Sequence, residues 1–308
     1  MALEQEHLAY PHRQYGMDHD WYRWSMLTTR PKVVWPEQAK LAVWVNVALQ
    51  FFPLNQRGQP FKVVGGMQMP YPDLRHFTLR DYGNRVGVFR ILDALDRFDV
   101  IPTFAISAAL ATRLSYLVDV VKERGNEVLC HGFDMDTLHF GGLPKDKERE
   151  QIRTSLGILR ESFRAEINGW LSPGRSESEN TPELLVEQGL QYCCDWVNDD
   201  MPYPFKTAAG ELFSMPLSNE LEDVFILMSN QHSETSYVEQ ICDAATFLSK
   251  EADEQGGRML GLNIHPWMLG QPHRIKKLEA VLEFLTSLPG VWFASAHDIL
   301  ASFKNQQG

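Results

Sequence analysis

The chain has little cysteine. Four cysteines occur in 308 residues, none in a Cys-x-x-Cys pair, so neither a disulfide framework nor a thiolate knuckle is expected. Cys130 and Cys193 lie in apolar, strand-like runs, where a reduced thiol serves as a small core residue. Positive charge is also short: 29 Lys and Arg against 40 Asp and Glu leave a net charge of −11. That balance excludes the basic patch of a nucleic-acid binder. No apolar run approaches the roughly 20 residues of a membrane-spanning helix. The N-terminal "MALEQEHLAYPHRQYG" lacks the basic-then-apolar order of a secretion signal, so a cytoplasmic protein is expected. Pro/Gly-rich linkers and fixed-period repeats are missing as well. One domain over 40–308 is therefore expected, preceded by an extension over 1–39.

What is present is a regular alternation. "KLAVWVNVALQFF" (40–52) is a continuous Val- and aromatic-rich run, as a strand buried on both faces requires. "VGVFRILDALDRF" (86–98) then places apolar residues at helical spacing. The order continues with strands over 100–107, 126–132, 167–173, 190–196, 258–266 and 291–296. Helices fall at 114–125, 146–163, 181–189, 236–254 and 273–290. Strands alternating with helices predict parallel strands joined by right-handed crossovers, seven or more βα units in one barrel-like α/β domain. The aromatic extension (Tyr10, Tyr15, Trp21, Tyr22, Trp24, Trp35) is expected to pack on the barrel exterior.

In such folds chemistry gathers where strands end. Four strand ends are polar: "CHGFD" (130–134), "LSPGRSES" (171–178), "DWVNDD" (195–200) and "IHPWMLGQPHR" (264–274). His131 and His265 each follow an apolar strand and are candidates for one shared pocket. Asp195, Asp199 and Asp200 crowd into six residues, where mutual repulsion could raise one pKa into a useful range. Capping a turn is the alternative for Asp199 and Asp200. Arg175 follows Pro-Gly, a loop suited to presenting a guanidinium to a carbonyl or carboxylate. "RDYGNR" (80–85) reads equally as a substrate contact or an ion-paired anchor. Asp134 is a secondary candidate; Asp136 and His139 read as solvated loop residues.

These motifs, in this order, resemble the polysaccharide deacetylase superfamily, and within it the deacetylase-like allantoinases and cyclic imide hydrolases. The resemblance rests on "RDYGNRVGVFRILDALDRF", "GNEVLCHGFD", "GWLSPGRSESENTPELL", "YCCDWVNDDMPYP" and "LNIHPWMLGQPHRIKKLEAVLEFL" with "VWFASAHDI", spanning roughly residues 40–300. It implies an irregular seven-stranded (β/α) barrel and hydrolysis of a C–N bond in an amide, cyclic amide or imide. Metal-dependent members hold their ion with a first-strand aspartate and two histidines of an H-S/T-x-x-H motif. Here no acid lies between Lys40 and Asp73; Asn46, Ala48 and Gln50 occupy the region. Met135 stands four residues after His131, a poor ligand for a hard divalent ion. The allantoinase branch is described as metal-independent.

Two mechanisms follow. Without a metal, His131, His265 and Asp195 or Asp199 transfer protons, while Arg175, Trp170, Asn46 and Asp200 bind the substrate. With a divalent ion such as zinc, His131 and His265 join Asp134, Asp195 or Asp199 as ligands. The favoured expectation is a metal-free hydrolase of a small cyclic amide, ureide or imide. The alternatives are a metal-dependent deacetylase of an N-acetylated sugar or polysaccharide, and a non-catalytic small-molecule-binding protein. A small-molecule substrate, no membrane or nucleic-acid partner and a homo-oligomer are expected.

Overall fold

Leu41–Leu49 is buried at every position, as its unbroken apolar run demands of a strand covered on both faces. It is the first of nine strands in the computed structural model, which describes residues 13–57 and 72–307. In chain order these are β1 (Leu41–Leu49), β2 (Thr103–Ile106), β3 (Val128–Cys130), β4 (Gly169–Trp170), β5 (Tyr192–Cys193), β6 (Tyr203–Thr207), β7 (Gly210–Ser214), β8 (Arg258–Ile264) and β9 (Val291–Phe293). They form one sheet in the order β6-β7-β5-β4-β3-β2-β1-β8, with β9 against the start of β1. Every pairing is parallel except β6 with β7.

The architecture is a curled, parallel-rich half-barrel, of the kind the alternating pattern predicts. Seven strands coincide with those expected from sequence; the β6–β7 hairpin adds two. That hairpin turns through Ala208 and Ala209, without the Asn-Gly or Asp-Gly pair that marks a tight turn in sequence.

The helices are α1 (Leu74–Tyr82), α2 (Val88–Arg97), α3 (Ala108–Arg113), α4 (Ser115–Arg124), α5 (Lys145–Phe163), α6 (Thr181–Glu187), α7 (Glu234–Gln255), α8 (Pro266–Leu269), α9 (Ile275–Ser287) and α10 (Ala296–Lys304). Residue parity sorts the sheet into two faces. Leu41, Val43, Val45, Val47 and Leu49 share a cluster with apolar residues of α2, α4, α5, α6, α7 and α9, so this face is the outer, helix-covered one. Ala42, Trp44, Ala105, Leu129, Leu171 and Cys194 form a second cluster with Trp35 and with Ile299, Leu300 and Phe303 of α10. This inner face is thus plugged by large side chains rather than open. No helix among the described residues is long and apolar enough to cross a membrane.

The N-terminal extension runs over the β6–β7 side of the sheet. Trp21 and Tyr22 meet Trp196 edge-on, at ring separations of 5.2 and 5.8 Å. Trp35 is 1% exposed and donates from Nε1 to the Arg258 carbonyl at 2.7 Å, whereas Trp24 stays exposed. Tyr10 and residues 58–71 of the long loop after β1 lie outside the described residues.

Candidate active site

Parity also dictates which strand-end residues look inward. Gln50 follows inner-facing Ala48 by two, His131 follows Leu129 by two, and His265 follows Asn263 by two. All three line a cavity of about 370 Å³ at the C-terminal ends of the strands, together with Arg175, Glu222 and Trp267. That volume suits a small molecule.

His131 is buried and, among the described residues, has no acid hydrogen-bonded to it. Its Nδ1 lies 2.8 Å from the Leu171 carbonyl, which fixes the proton on Nδ1 and leaves the Nε2 lone pair facing Gln50 Nε2 at 3.2 Å. Trp267 Nε1 donates to Gln50 Oε1 at 3.2 Å and so orients the amide with its N–H toward His131. Burial is the largest influence on this imidazole. It outweighs the bond to Leu171, and His265 and Arg175 add to it, so the pKa falls to about 4. His131 is neutral at pH 7.

His265 is equally buried but sits on Asp223. Its Nδ1 meets Asp223 Oδ1 at 2.6 Å and its backbone N–H donates to Asp223 Oδ2 at 2.8 Å. Burial pulls its pKa down, yet Asp223, helped by Glu222, wins and the pKa is raised. Glu222 Oε1 lies 3.7 Å from His265 Nε2 and 3.8 Å from Arg175 Nη2, and accepts a bond from Asn263 Nδ2. Glu222, on the cavity wall, and Asp223, buried behind His265, are acids that sequence reasoning missed. They lie in "SNELEDV", inside a stretch (201–235) that carries no strand-end signature.

Arg175 reaches the pocket through two successive left-handed residues, Gly174 (φ 62°) and Arg175 itself (φ 53°). A non-glycine residue there carries strain, a common mark of a functional turn. Its Nη1 donates to the carbonyls of Cys194 (3.1 Å) and Leu217 (3.0 Å). Its buried Nη2 has no hydrogen-bond partner among the described residues.

The remaining expected residues lie elsewhere. Asn46 is under the pocket floor, donating to Asn263 Oδ1 at 2.7 Å. Trp170 is in the outer cluster and spends its N–H on Ser172 Oγ at 2.8 Å. Asp195 follows Cys193, an outer-cluster residue, by two and does not line the cavity. Its carboxylate accepts from Ser172 N (2.8 Å) and Oγ (2.9 Å), bracing the turn that carries Arg175. Burial, opposed by the Ser172 bonds and by Arg175, pushes its pKa up to about 6. Asp199 holds Arg30 of the extension at 2.8 and 2.5 Å and caps Met201 N at 3.0 Å. Asp200 is largely exposed beside Arg258 at 3.2 Å. Neither Asp199 nor Asp200 lines the cavity.

Asp134 accepts from the backbone N–H groups of Asp136 and Thr137, a loop-closing role away from the pocket lining. Asp136 does reach the cavity wall, and its Oδ2 takes the Arg57 N–H at 2.7 Å. His139, expected to be solvated, is 1% exposed, with Nδ1 3.3 Å from the buried Glu148. Glu148 also accepts from Ser178 and Thr181, so this is an internal lock between the loop after β3 and α5.

A divalent ion in the pocket does not fit this donor set. The lone pair of His131 is met by an amide N–H, the thioether of Met135 lines the wall, and Asp134 is spent on its own loop. Among the described residues, the three donors that do converge are Glu177, Cys193 and Asp195, within 4.8 Å of one another. None of them lines the cavity.

The half-barrel, with histidines and an arginine gathered at its strand C-termini, is similar to several known proteins. A family model described as "Polysaccharide deacetylase" matches residues 78–193 of the chain. The fold of the crystal structure of PuuE allantoinase superposes with a TM-score of 0.81, at 25% identity over 90% of this chain and 95% of that one. A candidate polysaccharide deacetylase from Pseudomonas aeruginosa PAO1 gives 0.78 at 24% identity, covering 90% of this chain and 95% of that one. A candidate polysaccharide deacetylase of Schizosaccharomyces pombe is 25% identical over 88% of this chain and 92% of its own length.

Proposed function

We propose that the chain is a hydrolase of the C–N bond in a small cyclic amide, ureide or imide, working without a metal. The observation that carries this reading is the Asp223–His265–Glu222 arrangement in a small cavity, with the Gln50 amide N–H on the Nε2 of His131. Similarity to PuuE allantoinase supports the substrate class, and a strained ring carbonyl is electrophilic enough to be attacked without a Lewis acid.

In this mechanism Glu222 takes a proton from water, whose oxygen adds to the ring carbonyl carbon. Arg175 Nη2, a buried donor facing Glu222, stabilises the charge that develops on the carbonyl oxygen. His265, whose pKa is raised by Asp223, gives an Nε2 proton to the leaving nitrogen as the C–N bond breaks. The proton on Glu222 then returns to His265 over the 3.7 Å between them. His131 stays neutral and shapes the wall. A homo-oligomer, as the resemblance implies, is part of this reading.

Ala48 in place of an acid favours a second reading, a binding protein with this pocket and no turnover. One panel separates the readings: allantoin, hydantoin, succinimide and an N-acetylated sugar, each with and without a chelator and added zinc. Ring opening that a chelator leaves intact is the expected outcome. Activity lost on chelation and restored by zinc would sink the metal-free mechanism, and thermal shifts without turnover would favour the binder.

A further inference from the structure

The turn that presents Arg175 is held by carboxyl groups that stand outside the pocket lining. Ser172, at its start, donates to Asp195, and Ser178, at its end, donates to Glu148. Glu177 lies between these anchors, two residues after Arg175. Its Oε2 accepts from Trp196 Nε1 at 2.6 Å, and Trp196 is itself met edge-on by Trp21 and Tyr22 of the extension. Its Oε1 is sealed from solvent and has no hydrogen-bond partner among the described residues.

An ionised oxygen in that position would lack the donors that a buried charge needs. The groups facing Glu177 make this worse. From the strand side, an Asp195 oxygen and the Cys193 Sγ lie within 4.8 Å of one of its oxygens, and Glu148 faces it from α5. Arg175 and His139 bear on Asp195. Burial, with the Asp195 charge added to it, lifts the Glu177 pKa well above the ordinary carboxyl value, against the Trp196 bond. Asp195, at about 6, is ionised at neutral pH. One proton between two such carboxyls replaces repulsion by an O–H···O⁻ bond. The orphaned oxygen then becomes a donor. Asp195, which takes two bonds from Ser172, keeps lone pairs to accept a third.

We propose that Glu177 is a positioning residue, whose protonated carboxyl, bonded to Asp195, fastens the turn that aims Arg175 into the pocket. Loss of the proton sets two carboxylates against each other and loosens the turn, so the site responds to alkaline pH. The effect on turnover rests on the hydrolase reading; the shared proton does not.

Glu177→Gln tests it, because an amide donates to Asp195 and accepts from Trp196 as the carboxylic acid does, but does not ionise. The Trp196 indole N–H resonance, identified by its absence in Trp196→Phe, is followed from about pH 5 to 9 without ligand. In the wild type it should titrate on the alkaline side of about pH 6, and in Glu177→Gln it should stay flat. Hydrogen exchange of the Arg175 and Ser176 amides, which donate to the Ser172 and Pro173 carbonyls, reads the turn itself. Their protection in Glu177→Gln relative to wild type should be near one at about pH 6.5 and at least about fivefold at about pH 9. Where turnover occurs, the kcat ratio of variant to wild type should rise from about one to about five- to tenfold over the same interval, with KM within about twofold. Loss of acid from His265 is common to both proteins and cancels in that ratio.

A Trp196 resonance that is flat in the wild type, or that titrates unchanged in Glu177→Gln, overturns the proposal. So does equal protection of the turn in the two proteins at alkaline pH. If Glu177→Gln does not fold, Asp195→Asn decides. Without the neighbouring charge the Trp196 titration should move down by about one unit or more, and an unmoved titration overturns the shared proton. Titration and protection as expected, in a protein that opens none of the rings tested, would defeat the hydrolase reading and leave this one standing. Turnover with the same pH dependence in both proteins would do the reverse.

Discussion

His131 and His265 make a controlled comparison inside one cavity. Both end an inner-facing strand, both are buried and both place Nδ1 against an oxygen acceptor. In one case the acceptor is the Leu171 carbonyl, and the imidazole is driven neutral, with a pKa of about 4. In the other it is the Asp223 carboxylate, and the pKa rises despite the same burial. A single negative charge behind the ring thus decides whether a buried histidine has its pKa lowered or raised. The lesson is that strand position gives a histidine its location, while its partner gives it a role.

The largest effect comes from breaking the contrast at its source. Asp223→Asn keeps an acceptor for the His265 backbone N–H but removes the charge, leaving burial to pull the imidazole pKa below its ordinary value. An acid catalyst is lost as pH rises through its folded-state pKa, so this substitution moves the alkaline loss of kcat/KM to lower pH. At neutral pH the rate should fall about 10²–10⁴-fold. A pH–rate profile unchanged from wild type would remove His265 from the acid role.

An intermediate effect comes from making His131 resemble His265. Gln50→Glu sets a carboxylate against Nε2, and the His131 pKa should rise by about one to three units, followed by NMR titration. The same pair of proteins reads stability. A histidine whose folded pKa lies below its unfolded value favours the folded state fully above pH 6.5 and loses that contribution as pH falls toward 4. For wild-type His131 the loss is on the order of 3 kcal/mol between those pH values, and Gln50→Glu should flatten it. Denaturant midpoints from pH 7 to 4 check this. Identical acid limbs in the two proteins would contradict the assignment.

The smallest effect is expected outside the pocket. Asp199→Ala breaks the partly exposed pair with Arg30 and a turn cap, costing about 1 kcal/mol or less and leaving turnover within about twofold. A collapse of activity would mean that the acids of 195–200 reach the chemistry after all.

Much of this was legible in the residues. The seven parallel strands and the long helices follow from hydrophobic period, because burial on one face or on both imposes that period wherever it occurs. His131, His265 and Arg175 follow from position at strand ends. Parity, applied one step further, separates Asp195 and Trp170 from the pocket, since both share the register of outer-facing residues. Asp223 and Glu222 could not be found this way. They lie between the hairpin and α7, where no repeating pattern fixes direction, and only chain closure brings them to His265. The lock between His139 and Glu148 was hidden for the same reason, a polar loop residue being buried by a helix that follows it.

By itself, then, the sequence determined the layers, the strand order's parallel logic and which end of the sheet bears polar side chains, because these depend on local periodicity and chain direction. The tertiary structure alone decided which acid stands behind which histidine, which carboxyls lie together, and therefore which groups carry charge. Those are contacts between residues tens to hundreds of positions apart, and electrostatics in a buried site depends on such distances rather than on order along the chain.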